Sequence, residues 1–443
     1  MTIIMKFGGT SVGSVAAVQN VHKIVKERLD KAPIVVVSAL SGITDALIKS
    51  AKDAEQGRID DSAIRKKHND LLKGLGLDDG LVDDELSELL EVLKTIAEEG
   101  LTKRSLDHVQ SFGERMSSKI VAAYMTKKGM NARALNSYDV GLVTDSNFTE
   151  AEIDSCSYEN LKKNPLLKEK GIVNVVTGYI AKDHKGDITT LGRGGSDFTA
   201  AIIGAALDAE EVQIWTDVDG ILTSDPKIVK NAVTIDEISF EEAAELAYFG
   251  AKVVHPKTII PATENNIPVL VLNTHNPSHK GTRIVKSARD AEHGIFKAIS
   301  SKKNVTIIRI VSSRMLGVYG FLAVIFDIFR NHKIAVDMVS TSEISVSVSV
   351  GSKDDIGPLI EDLEKIGSIE VRKKRAIVCI VGKGMKNIPG VSGKIFSVCG
   401  DEKINVEMIS QGASQVNMGF IVDEGDADRI VVALHRELIE KRR

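Results

Sequence analysis

Two segments of this 443-residue chain match one another without a gap. Residues 315–340, MLGVYGFLAVIFDIFRNHKIAVDMVS, lie over residues 385–410, MKNIPGVSGKIFSVCGDEKINVEMIS, at a constant offset of 70. Met315/Met385, Gly320/Gly390, Ile325/Ile395, Phe326/Phe396, Lys333/Lys403, Val336/Val406 and Met338/Met408 coincide, and Asp337 faces Glu407. Each copy reads as strand, glycine loop, helix, strand, turn, strand. So regular a duplication implies two copies of one small α+β unit, either one pseudo-symmetric domain or a pair joined edge to edge. Both copies keep a loop before a helix, a natural place for an anion.

The first two-thirds have a different rhythm. Short β-branched runs, IIMKF (3–7), IVVVS (34–38), ARALN (132–136), VNVVT (173–177), VQIWT (212–216) and VLVL (269–272), alternate with helical segments. Runs apolar on both faces and separated by helices predict the central strands of a mostly parallel sheet covered by helices on both sides, an α/β class. Leu86, Leu89, Leu90, Leu93 and Ile96 recur at helical spacing before Gly100, so 51–100 reads as a helical insertion beside the sheet.

Composition removes several partners. A formal charge of -4 and a pI near 6.2 give no electrostatic reason for nucleic acid or an anionic membrane. Cys156, Cys379 and Cys399 are odd in number and lack C-x-x-C spacing, which argues against a disulfide framework and a zinc site. A reducing, cytoplasmic setting is expected. The start MTIIMKFGG does not have the pattern of a signal peptide, and no apolar run approaches a membrane span.

Chemistry gathers in the loops. KFGGTSVGS places Lys6 at a strand end, then Gly8, Gly9, Thr10 and Ser11 ahead of a helix, where glycines admit a phosphate and unpaired N–H groups face it. Gly8 and Gly13 are followed by Ser14 rather than lysine, so this is not a Walker A loop. In LGRGGSD, Arg193 offers a planar fork for a carboxylate, Gly194 and Gly195 leave room, and Ser196 is a candidate helix cap. Asp197 would repel phosphate unless paired, and Lys6 is the candidate partner. Thr216 and Asp217 open the turn-rich WTDVDGILTSDPK, and GAKVVHPKT carries Lys252 and Lys257. His255 reads as a packing residue. Glu114 of SFGER lies in a helical pattern, where it becomes functional only as acceptor for a ligand ammonium.

KFGGTSV, SFGER, LGRGGSD, WTDVDGI, SDPK and GAKVVHP, in this order, resemble the aspartate kinase family of the amino-acid kinase superfamily, over essentially the whole chain. The resemblance implies transfer of the γ-phosphoryl of ATP to the β-carboxylate of L-aspartate, giving 4-phospho-L-aspartate, with Mg²⁺ held mainly through the nucleotide phosphates. Carried over, Lys6 stabilises the transferring phosphoryl, with Gly8, Gly9, Thr10 and Ser11 around the phosphates. Arg193 takes the substrate α-carboxylate, Glu114 takes its ammonium, and Ser38, Thr44, Gly194 and Ser196 complete the pocket. Thr216, Asp217, Leu222, Lys227, Lys252 and Val253 match nucleotide positions. The domains implied are a catalytic amino-acid kinase domain at 1–285, a first ACT module at 286–373 with 427–443 returning to complete it, and a second ACT module at 374–426.

Paired ACT modules, ferredoxin-like α+β units, imply an amino-acid effector and at least a homodimer, or a tetramer. The stretch around Met315, Val318, Gly320, Phe321 and Leu322, with Val336, Asp337, Ser342 and Glu343, resembles the lysine-sensitive group. Lysine is therefore the favoured effector and threonine the second, with Asp337 and Glu343 as partners for an ammonium. Two other readings compete: a kinase of glutamate or acetylglutamate, against which KFGGTSV and the ACT pair weigh, and an amino-acid sensor without catalysis, against which Lys6, Arg193 and Asp197 weigh.

Overall fold

The computed structural model describes residues 2–249, 256–288, 295–315, 319–351, 355–383, 385, 388–412 and 416–442. The chain divides into two compact units, one of residues 1–221, 236–240 and 253–288, the other of residues 222–235, 241–252 and 289–443.

In the first unit the β-branched runs become strands β1 (Ile3–Phe7), β2 (Ile34–Val37), β3 (Ala132–Leu135), β4 (Val143–Thr144), β5 (Val173–Thr177), β6 (Ile180–Asp183), β7 (Ile188–Thr190), β8 (Glu211–Thr216), β9 (Glu237–Ser239), β10 (Val269–Asn273) and β11 (Thr282–Val285). Eight of them form one sheet in the order β3-β5-β2-β1-β8-β10-β11-β9, parallel except where β10 meets β11. Strands β4, β6 and β7 form a small second sheet. The period of two along β1 decides what each residue meets. Ile3, Met5 and Phe7 join a core built with the helices Val15–Lys26, Ile43–Glu55, Ser62–Leu75, Asp83–Glu99 and Lys103–Lys127. Leu86, Leu89, Leu93 and Ile96 are buried there, each contributing about 2 kcal/mol. Ile4 and Lys6 face the opposite way, towards the helix Gly195–Ala206, which packs on β1. One strand thus supplies both a core and a charge aimed at a helix start.

In the second unit strands β12 (Ala298–Val311), β13 (Val336–Thr341), β14 (Ser345–Gly351), β15 (Ser368–Val381), β16 (Met408–Ser410) and β17 (Asn417–Asp423) form one sheet, ordered β13-β14-β12-β15-β17-β16. The repeat is visible as geometry. Gly320 and Gly390 sit at φ +81° and +82° before the helices Phe321–Asn331 and Val391–Asp401. The long strands β12 and β15 run antiparallel, and each gives one half to each repeat: 298–302 pairs with 377–381, and 307–311 with 368–372. One core gathers Ile308, Ile325, Phe329, Val348 and Leu363; the other gathers Ile299, Val378, Ile395 and Phe420.

The fate of residues 427–443 differs from the expectation. The helix Ala427–Leu438 buries Ile430, Val431, Leu434 and Leu438 in the core with Ile395 and Phe420, so it completes the second repeat and not the first. The first repeat is already closed by the helix Gly357–Glu364, through Leu359 and Leu363. It therefore lies in sequence between the opening half of β12 and the remainder of the second.

Candidate active site

Beyond the carboxyl ends of β1 and β2 lies a cavity of about 580 Å³. It is lined by Lys6, Ser38, Thr44, Glu114, Arg193, Gly194, Ser196 and Asp197, which the sequence singled out, and by Asp45, Ile48, Gln110, Tyr179, Gly192 and Gly195. Two helices start at its wall, Ile43–Glu55 behind Gly42 and Gly195–Ala206 behind Gly194. Both glycines are left-handed, at φ +75° and +78°, and neither helix has a side-chain cap. The N–H groups of Ile43 and Gly195 bond to the carbonyls of Leu40 and Gly192 at 2.9 and 3.1 Å, so those of Thr44, Asp45, Ser196 and Asp197 are the ones that remain available to an anion. This corrects the expected capping role of Ser196. It lies inside the helix, where its hydroxyl accepts from Ser38 at 3.0 Å and bridges the loop after β2 to this helix.

The Lys6 ammonium lies 2.5 Å from Asp197 Oδ1, each side chain only 13% exposed. At that distance the carboxylate in the first helical turn fixes the ammonium at the cavity floor. Arg193 is exposed to the cavity and, among the described residues, has no carboxylate within ion-pair distance.

The helix Lys103–Lys127 aims three polar side chains to this side. Asp107 accepts from Thr190 N–H and Oγ1 and from Thr149 N–H at 2.8–2.9 Å, which anchors the chain just ahead of Arg193. One turn on, Gln110 accepts from the Tyr179 phenol at 2.7 Å. After another turn comes Glu114, whose Oε1 accepts from Ala39 N–H at 3.0 Å while Oε2 is buried with no hydrogen-bond partner among the described residues. Burial pushes the Glu114 carboxyl up to about 8, partly offset by the Ala39 bond. The closeness depends on Gly113, where an added Cβ would meet Ala39 Cβ at 2.6 Å.

Other candidates are placed less uniformly. Gly8, Gly9 and Thr10 border the end of β1, but Ser11 is buried and shares a hydrogen bond of 2.8 Å with Thr274, so its hydroxyl is already engaged. Thr216 ends β8 and donates to Asp217 at 3.2 Å. Leu222, which bridges Thr234, and the exposed Lys227 belong to the second unit. Lys252, Val253 and His255 lie outside the described residues, as does Val318.

In the second unit Met315 and Phe321 are half-buried against the first repeat's core, Gly320 caps the helix that Phe321 and Leu322 begin, and Val336 opens β13. Ser342 shares a 2.7 Å hydrogen bond with Ser345, and Glu343 is exposed. Asp337 already accepts from Lys302 Nζ at 2.7 Å and from the Tyr248 phenol at 2.6 Å, partners the sequence reading did not find. Cys156 has its sulfur within 4.8 Å of ligand atoms of Asp154 and His184; the spacing of the cysteines along the chain could not show this, because His184 sits on the β6–β7 turn. Among the described residues no helix is long and apolar enough to cross a membrane.

Comparisons with known proteins agree with the two-part fold. The amino acid kinase family model matches residues 1–273, and an ACT domain model matches 308–355 and 378–438. Aspartokinase 1, chloroplastic, of Arabidopsis thaliana is 39% identical over 99% of this chain and 80% of its own length. The lysine-sensitive aspartokinase 3 of Escherichia coli (strain K12) is 36% identical over 99% of both chains. Among solved structures, E. coli aspartokinase III with aspartate and ADP in the R-state superposes at TM-score 0.82, 32% identical, over 99% of this chain and 100% of the other. The same enzyme with lysine and aspartate in the T-state gives 0.77, 33% identical, over 99% of both chains.

Proposed function

Because this chain belongs to the aspartokinase family and is an ATP-dependent aspartate kinase, we infer that the cavity between Lys6, Arg193 and Glu114 is where L-aspartate presents its β-carboxylate to the γ-phosphoryl of ATP. The observation that carries this is the matching of charges. Arg193, free of ion pairs among the described residues, meets the α-carboxylate, and the unpartnered Oε2 of Glu114 meets the α-ammonium. Lys6 is left for the reacting end, fixed by Asp197. Ser38, Thr44, Gly194 and Ser196 close the substrate pocket around it.

The attacking carboxylate is already ionised at neutral pH, since a model aspartate titrates near 3.9. No general base is required. Catalysis then consists of holding the oxygen in line and neutralising charge on the phosphoryl oxygens. Lys6 supplies a fixed positive charge there, and Asp197 prevents it from wandering. The N–H groups around Gly8, Gly9 and Thr10, with Ser11 as their buried anchor, receive phosphate oxygens, and Thr216 and Asp217 receive the nucleotide further along the sheet edge. Mg²⁺, held through the nucleotide phosphates, would supply the rest of the neutralisation.

The ACT modules make the enzyme allosteric. Lysine is the effector we favour, with threonine second, on the likeness to the lysine-sensitive relative and on the carboxylate offered by Asp337. Exposed Leu322, Val324 and Phe326 on one repeat helix support assembly of at least two chains through these modules. Calorimetric titration of aspartate without nucleotide tests the substrate pocket. Wild-type protein is expected to bind and Arg193→Ala to bind at least tenfold more weakly; equal affinity would place the α-carboxylate elsewhere.

A further inference from the structure

On the reading that an amino-acid effector binds at Asp337, the surroundings of this residue do more than offer it a contact. Asp337 lies at a β-bulge, where the register of β13 against β14 shifts between Val336 and Met338. Lys302 lies where β12 loses register with β15, between Lys302 and Val305. Such irregularities re-aim side chains, and here they bring an ammonium and a carboxylate together. The Asp337 side chain is 4% exposed and Lys302 32%. Both donors fall on one oxygen: Oδ1 accepts from Lys302 at 2.7 Å and from the Tyr248 phenol at 2.6 Å, while Oδ2 is buried with no hydrogen-bond partner among the described residues. A buried carboxylate oxygen left without a donor is costly and invites one.

The duplicated copy provides a comparison. At the same offset of 70, Lys302 corresponds to Arg372 and Asp337 to Glu407. Glu407 has one guanidinium on each oxygen, Arg372 at 3.3 Å from Oε2 and Arg375 at 2.7 Å from Oε1. The position matching Arg375 is Val305, which has no charge to offer. Among the described residues the same acid therefore has a cationic partner on both oxygens in the second repeat and on only one in the first.

Tyr248 ends the helix Phe240–Tyr248, which is fastened to this unit by three side chains at intervals of three. Glu242 accepts from Lys297 at 3.0 Å and from Lys383 N–H at 2.7 Å, Glu245 accepts from Asn417, and Tyr248 donates to Asp337. Burial raises the Tyr248 phenol, so it stays a donor throughout the neutral range. The chain beyond it runs directly into 250–255, which contains the expected nucleotide residue Lys252.

We propose that Lys302 is an internal ammonium that competes with the effector's ammonium for Asp337, and that Tyr248 passes the exchange into the helix Phe240–Tyr248. Two ammonium groups on one carboxylate repel each other. Lys302, partly exposed on a flexible stem, is the one that yields. Its withdrawal also removes the cation from beside the Tyr248 ring, 5.2 Å from the centroid.

The test is calorimetric titration of L-lysine into the full chain, paired with inhibition curves normalised to each variant's own uninhibited rate. Lys302→Met is expected to bind lysine about two- to fivefold more tightly, as loss of a partly exposed competing ion pair predicts, and Lys302→Arg to bind as wild type does. Tyr248→Phe is expected to keep lysine affinity within about twofold while maximal inhibition falls, a separation that loss of fold alone would not produce. Unchanged or weaker binding by Lys302→Met overturns the competition, and full inhibition of Tyr248→Phe overturns the transmission. Wild-type protein that binds neither lysine nor threonine would instead remove the effector reading itself.

Discussion

Glu114 makes substrate binding depend on pH in a direction the structure specifies. Its carboxyl is pushed up from 4.5 to about 8 by burial, so at pH 7 the empty pocket holds it mostly protonated. A protonated carboxyl cannot pair with the α-ammonium of aspartate, so binding must first release that proton. With a value of about 8 the release costs about 1.4 kcal/mol at pH 7 and twice that at pH 6, at 1.36 kcal/mol per unit. The sign is then fixed: raising pH towards 8 removes the cost, and lowering it adds to it. The KM for aspartate should therefore fall about tenfold from pH 6 to 7 and about fivefold from 7 to 8, then flatten, while kcat changes little. Glu114→Gln keeps an oxygen for Ala39 N–H but has no proton to lose. It should raise KM at pH 8 and abolish the slope. ADP release measured across pH 6–8.5 at saturating Mg-ATP reads both parameters. A wild-type KM independent of pH, or an equal slope in Glu114→Gln, would refute the reasoning.

Further substitutions probe the other contacts. Asp197→Asn leaves Lys6 unanchored and should lower kcat about 10- to 100-fold with little change in KM for aspartate; nearly full turnover would remove its orienting role. Lys6→Met, measured by the same ADP assay, should cost about 10³-fold in kcat. Arg193→Lys keeps the charge but loses the planar fork, and should raise KM for aspartate by about 1–2 kcal/mol without altering the pH profile. Gly113→Ala forces a Cβ against Ala39 and should lower both the melting temperature and aspartate affinity, read by thermal unfolding with and without aspartate.

The central strands were legible because they are buried on both faces, and only β-branched and apolar runs such as IVVV satisfy that. Lys6 stood out as the charge at the end of such a run. Gln110 could have been found one helical turn ahead of Glu114, whereas Tyr179 enters the cavity from a left-handed position, φ +67°, that the sequence does not announce. Ser196 was misread as a cap because a serine near a helix start usually is one; the left-handed Gly194 had already taken that position. The helix Ala427–Leu438 was expected in the first repeat because the family resemblance implied that nesting, and an amphipathic stripe does not itself say which sheet face it covers. Its partner was decided by the helix Gly357–Glu364, which already covers the first. The ties of Asp337 to Lys302 and Tyr248 cross strands and a helix far apart in sequence. Only the offset that sets Lys302 over Arg372 hinted at them.

Acyl phosphate formation in the presence of hydroxylamine, followed together with ADP from Mg-ATP and L-aspartate, puts the assigned reaction and its site to the strictest test. The wild-type chain is expected to give one β-hydroxamate per ADP, with both products falling together in Arg193→Ala at subsaturating aspartate. ADP released without hydroxamate, or equal hydroxamate from Arg193→Ala, would mean that the carboxylate is not phosphorylated in the cavity between Lys6, Arg193 and Glu114.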